Sequence, residues 1–243
     1  MNQILVSEKL YVTPELKKKK KLFKMEFILS VFLLCVLSTY GIYAEYDRNK
    51  SEEVGREILG TISFPEETTE TVTEESIIII LNSEEMKAYS VTTETEVEIE
   101  VPEEQISIAS DGTEYYTLGI IQIPEINVDY PILSTATTEL LKISVCKLWG
   151  PKLNEVGNFC IVGHNYRNNK FFSKVPALEN GTQIMVTDLS GKVLTYEVYD
   201  KYVVSPSETA CTSQETDGRK EITLITCTND NKNRVVVKAR EVV

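Results

Sequence analysis

The stretch Thr223–Ala239, TLITCTNDNKNRVVVKA, sets two β-branched runs around a polar centre rich in Asn. Val, Ile and Thr suit a pleated surface, whereas Asn and Asp tolerate turn backbone. Glu221–Cys227 and Arg234–Arg240 therefore read as strands, and Asn229–Asn233 (NDNKN) as the turn between them. Six residues separate Cys227 from Arg234, so a hairpin about NDNK makes the two a cross-strand pair. Such a pair points to one face with Cβ atoms about 5 Å apart. The bland reading of Cys227 is a small buried hydrophobe. A guanidinium beside it at a strand end is costly to bury without purpose, and it could hold a developing oxyanion.

The same texture extends upstream. Leu118–Ile123, Asn158–Val162, Thr182–Thr187 and Val193–Val204 read as further strands, and Asp188–Gly191 (DLSG) as a second hairpin turn. Helical signal is sparse, with short candidates at Thr138–Leu148 and Lys170–Leu178. Many short strands at this spacing predict a mostly antiparallel β domain over residues 116–243, closed as a barrel or stacked as a sandwich.

His164 is the only histidine in the chain and follows the apolar run FCIV and Gly163, at the mouth of a strand. The bland reading of His164 is a surface loop histidine with no role. Together with Cys227 and Arg234 it would meet the needs of thiol acyl transfer. A cationic neighbour favours the thiolate, the nucleophilic form. An imidazole can protonate a departing amine and deprotonate an incoming one. A guanidinium stays charged and steadies the oxyanion without joining the proton traffic.

The N-terminal third has a different character. Residues 1–44 carry 7 Lys/Arg against 3 Asp/Glu, residues 45–115 carry 4 against 20, and residues 116–243 carry 14 against 14. The net charge of −12 and the acidic isoelectric point therefore come from the middle stretch. Phe27–Ala44, FILSVFLLCVLSTYGIYA, runs 18 residues without a charge, about the minimum that crosses a bilayer core. Lys17–Lys21 and Lys24 precede it and Glu45 and Asp47 follow. The positive-inside rule then keeps residues 1–26 in the cytosol and sends the rest outside, as a single-pass protein of the cell membrane. The rival reading is a cleaved signal peptide, for which Ile42 and Ala44 make a poor small-residue site and the apolar run is long. Residues 45–115 repel themselves and predict a largely disordered Glu/Thr-rich spacer. Within it Ser76–Leu81 (SIIIIL) is either a strand or a sticky patch held off by flanking Glu. On this division a chain beginning near residue 115 holds every catalytic group. No basic stripe exists outside Lys17–Lys21, which argues against nucleic acid as a partner. Cys35, Cys146, Cys160, Cys211 and Cys227 show no Cys-x-x-Cys spacing and there is one histidine, so neither a metal nor a cofactor is implied.

Four segments in order resemble the sortase family: Gly119–Ile132 (GIIQIPEINVDYPI), Gly157–Leu178 (GNFCIVGHNYRNNKFFSKVPAL), Val203–Glu208 (VVSPSE) and Thr223–Ala239. Sortases carry an Ile-Pro, a Gly-His, a Thr-Leu-x-Thr-Cys and a following Arg in this sequence, and the resemblance covers residues 118–240. It implies a closed, eight-stranded sortase-type β-barrel with short helices, behind an N-terminal anchor and spacer. It implies a cysteine transpeptidase that cuts a Leu-Pro-x-Thr-Gly-like C-terminal sorting signal of secreted surface proteins after its Thr. The thioacyl product then passes to an amine, of lipid II or the peptidoglycan cross-bridge, or of a pilin lysine. His164, Cys227 and Arg234 fall on the family's catalytic positions. The separation of 7 between Cys227 and Arg234 is short for the family, which argues against class A and leaves a class B- or D-like subclass open. Val203–Glu221, which in sortases helps line the signal groove, is polar here and contains Cys211. Two rivals remain on sequence alone: an envelope cysteine peptidase that uses water as acceptor, and a wall-exposed binding domain with an inert Cys227.

Overall fold

Residues 13–65, 75–78, 89–92, 104–110 and 112–242 are described in a computed structural model. Helix α1 (Pro14–Thr61) passes from a unit that ends at Lys50 into one that begins at Ser51. In the first unit Phe27, Ile28, Phe32, Leu34 and Leu37 all stand exposed. Among the described residues this is one helix long and apolar enough to cross a membrane. Its 18 charge-free residues cover about 27 Å at the usual rise, close to a hydrocarbon core.

In the second unit the ordered structure reaches into both ends of the acidic segment, further than composition predicts. The last turns of α1 place Val54 and Ile58 against Leu133, Cys146, Leu141 and Ile143, and Ile58 is fully buried. Glu52 adds an ion pair with Lys170. An apolar pair four residues apart thus gives the acidic helix end a face to bury. β1 (Glu75–Ile78) and β2 (Tyr89–Thr92) form an antiparallel pair of their own, apart from the main sheet. Ser76–Ile78 of the SIIIIL segment is therefore strand, while residues 79–81 lie outside those described. β3 (Gln105–Ile108) pairs with the first half of β4 (Glu114–Ile123), so a chain starting at residue 115 would lose ordered structure.

The rest is a barrel. β5 (Val128–Leu133) is antiparallel to β4 and parallel to β6 (Val145–Trp149). β7 (Gly157–Val162) follows, then β8 (Gln183–Asp188), β9 (Val193–Val204), β10 (Lys220–Cys227) and β11 (Arg234–Glu241). Around the sheet the order is β4-β5-β6-β7-β10-β11-β9-β8, and β8 returns to β4. Eight strands thus close the circuit and β3 rides outside it. The closing seam needs Gly119, whose φ is +154° and where a Cβ would sit 2.1 Å from the Thr187 carbonyl oxygen. The interior is filled by Ile121, Ile123, Phe159, Ile161, Ile184, Val186, Ile222 and Leu224. Along β10 six consecutive residues are buried. Ile222 and Leu224 face the barrel core, whereas Ile225 packs with Cys211 and Val236 under the β9–β10 loop.

Two sequence expectations are corrected. The helix expected over Thr138–Leu148 shrinks to α2 (Leu140–Ile143), because Ser144 is extended at φ −156°. Val145 and Cys146 then pair with Ile132 and Leu133 as the start of β6. Sheet pairing here overrides local helical pattern. The helix expected over Lys170–Leu178 is a single 3-10 turn, Val175–Ala177. Asn169 and Phe171 have positive φ, 66° and 49°, which breaks any helix, and Phe171 and Phe172 are taken into the core instead. β5 escaped the sequence reading because Pro131 lies within it, a residue that demotes a strand.

Candidate active site

The parallel ladder between β7 and β10 runs to Val162 opposite Ile225. The Gly163 amide still donates to the Ile225 carbonyl at 3.1 Å, and the Thr226 hydroxyl donates to the Gly163 carbonyl at 2.8 Å. Carried two residues on, this register sets His164 alongside Cys227. On the other side of β10, Cys227 is the direct partner of Arg234. The segments that carry the three residues proposed from sequence therefore lie at the same end of β7, β10 and β11. Neighbouring strands are about 4.8 Å apart, and the Arg234 guanidinium donates through Nη1 to the Asn233 carbonyl at 3.3 Å. Gly163 makes room for the core beneath this end: a Cβ there would come within 2.8 Å of the Phe172 ring and 2.9 Å of Val145.

Cys227, His164 and Arg234 are each half-buried. The imidazole stacks on Tyr166 with centroids 4.8 Å apart. Tyr166 meets Phe171 edge-on at 5.7 Å, and Phe171 stacks on Tyr130 at 5.2 Å. The Phe171 amide also donates to the Tyr130 hydroxyl at 3.1 Å, a phenol whose pKa is raised chiefly by burial. A file of rings thus backs His164 against the core and limits its rotation. Burial, and secondly the Lys142 charge, hold the His164 pKa below its usual value, so near neutral pH the ring is mainly uncharged.

The other cysteines of this unit are poor rivals for Cys227. Burial pushes Cys146 and Cys160 up to about 12 and raises Cys211, so each stays a thiol at neutral pH. All five cysteines are free. Cys211 sits in the β9–β10 loop, which Asn158 fastens through bonds from its amide to the Cys211 and Ser213 carbonyls, both 3.0 Å. Gln214 completes the clip, accepting from the Asn158 amide at 3.0 Å and donating to its carbonyl at 2.9 Å.

Sequence reasoning missed Thr226, Tyr166 and Lys142. The first two lie inside the stretches quoted for the family, so a polar Thr before the Cys and an aromatic two residues after the His were visible without being given a role. Lys142 was not, since it arrives on α2 from another part of the chain.

The sortase domain pattern matches residues 121–242, half of the chain, and the chain belongs to the sortase family. Sortase A of Bacillus anthracis is 30% identical over 123 residues, which are 49% of this chain and 57% of that protein. The match thus spans little more than half of that relative. Among solved structures, a Clostridium perfringens sortase D5 transpeptidase is 33% identical, covering 52% of this chain and 79% of that one with a TM-score of 0.48. Sortase A from Corynebacterium diphtheriae is 29% identical, covering 54% and 63% with a TM-score of 0.49.

Proposed function

We propose that the chain is a membrane-anchored cysteine transpeptidase that cuts a C-terminal sorting signal of secreted surface proteins and joins the product to an amine. The reading is supported above all by the cross-strand pair of Cys227 with Arg234 and by the β7–β10 ladder, whose continuation carries the His164 segment beside that of Cys227. The Cys227 thiol gives its proton to the neutral His164 ring, and the thiolate so formed attacks the carbonyl carbon of the signal's scissile bond, of the Leu-Pro-x-Thr-Gly type after Thr. The electron pair moves to the carbonyl oxygen, and Arg234 stabilises that oxyanion. His164 protonates the departing amine as the C–N bond breaks, leaving a thioester on Cys227. An acceptor amine, from lipid II, a peptidoglycan cross-bridge or a pilin lysine, gives its proton to neutral His164 and displaces the sulfur. A ring held mainly uncharged is ready for that second step.

Residues 27–44 would be the anchor, with residues 1–26 cytosolic. Residues 45–115 would be the spacer and residues 116–243 the catalytic domain outside the cell. The Lys-rich run before the apolar stretch and the acids after it support that direction. The test is to incubate the full chain in detergent with a signal peptide, with and without added amine. Transpeptidation predicts a trapped thioester on Cys227 and an amide product that rises with amine. Hydrolysis product alone, at every amine concentration, would refute transfer.

A further inference from the structure

Beyond the last ladder pair, the His164 and Cys227 segments are laced by side chains. Asn165, the residue after His164, donates one amide hydrogen to the Cys227 carbonyl at 2.9 Å and the other to Asn229 Oδ1 at 3.1 Å. Its own Oδ1 accepts from the Arg167 amide at 3.1 Å. Asn165 is 7% exposed, so each of its side-chain polar atoms is used in a nearly dry setting. Arg167 Nη1 closes the loop by donating to the Asn229 carbonyl at 3.2 Å. On the other side of the same segment the His164 carbonyl accepts from the Phe172 amide at 3.1 Å. His164 is therefore gripped by the core through Phe172, and by the Cys227 backbone through its neighbour.

We infer that Asn165 is a positioning residue for the reaction proposed above: its side-chain amide sets the spacing between the His164 imidazole and the Cys227 sulfur. Asp has the same shape but no hydrogens to give, Ser is too short to span the gap, and Gln is one methylene too long for the same fit. The bond also reaches the turn that carries the chain from Cys227 to Arg234, so one amide couples all three sites. The inference rests on the transpeptidase reading.

The test uses the full chain in detergent, a Leu-Pro-x-Thr-Gly-type peptide and an amine acceptor. Asn165→Asp keeps volume and loses both donors. It is expected to lower kcat by about 10–100-fold, the scale of a small misplacement of reacting groups, with KM within about twofold. Asn165→Gln, which retains an amide, is expected to recover part of the loss. In a His164→Ala background the effect of Asn165→Asp should nearly vanish, since residues acting as one unit are not additive. A readout without substrate is the alkylation rate of Cys227 by iodoacetamide at neutral pH, located by peptide mapping. It should fall in Asn165→Asp and show the same non-additivity with His164→Ala. If Asn165→Asp does not fold, Asn229→Ala removes one acceptor only and should shift kcat less, in the same direction. An unchanged kcat, or losses that simply add to those of His164→Ala, overturns the inference while leaving the chemistry standing. Full turnover by Cys227→Ala overturns the chemistry itself and the inference with it.

Discussion

Thr226→Val replaces a hydroxyl by a methyl of nearly the same size at a fully enclosed position. Thr226 is 1% exposed, and its hydroxyl donates to the Gly163 carbonyl at 2.8 Å. The variant strands that carbonyl inside the protein, which costs about 1–3 kcal/mol. For a unit of this size each kcal/mol lowers the melting temperature by about 2–4 °C, so the expected fall is about 2–12 °C. Thr226→Ser keeps the donor and loses only a methyl, and serves as the control. Circular dichroism melts of the three proteins in the same detergent measure the difference. The lost bond lies one residue from both His164 and Cys227, so kcat should fall in Thr226→Val with KM little changed. If Thr226→Val melts within about 1 °C of wild type, or no lower than Thr226→Ser, the hydroxyl does not hold the two segments together.

On the proposed chemistry, Cys227→Ala abolishes thioester formation, and Arg234→Ala lowers kcat by about 10²–10³ without lowering the melting temperature; near-normal kcat for Arg234→Ala would remove its oxyanion role. Lys142→Met takes away a positive charge that depresses the His164 pKa. The NMR titration of this sole histidine should therefore move upward, toward about 6.5. The sign for stability follows: with its folded pKa below the unfolded value, His164 withdraws stability as pH falls below about 6.5, and Lys142→Met lessens that loss. An unmoved titration would show that Lys142 does not act on the ring. A chain beginning at Gly112 loses β3 and the packing of Ile58, a fully buried side chain whose burial contributes about 1.5–3 kcal/mol. It should melt below the full chain, and an equal melting temperature would show that the end of α1 adds nothing.

The final hairpin was legible in the sequence because a short turn fixes its register. Two β-branched runs with six residues between Cys227 and Arg234 admit essentially one pairing. The strands from Asn158 and Val193 were legible for a similar reason, through period-two alternation or a fully apolar run. What escaped depended on distant partners. Val145–Trp149 has helical spacing when read alone, and becomes strand because Ile132 and Leu133 offer it an edge. The Lys170–Leu178 segment lost its helix to positive φ at Asn169 and Phe171, which no periodicity reveals. Val54 and Ile58 lie in a stretch whose acidity masks a narrow apolar face. The juxtaposition of His164 with Cys227 was the least accessible, since it needs the parallel pairing of β7 with β10 across more than 50 residues of intervening chain.

β10 is covered on both sides and ends at the proposed nucleophile. Segments of that kind open to solvent only when the whole unit does, whereas exposed loops fray first. The sulfur is thus fastened to the end of a strand enclosed on both faces. Thermal inactivation and loss of the β signal should then occur as a single event, with no warmed, folded form in which Cys227 has drifted out of place.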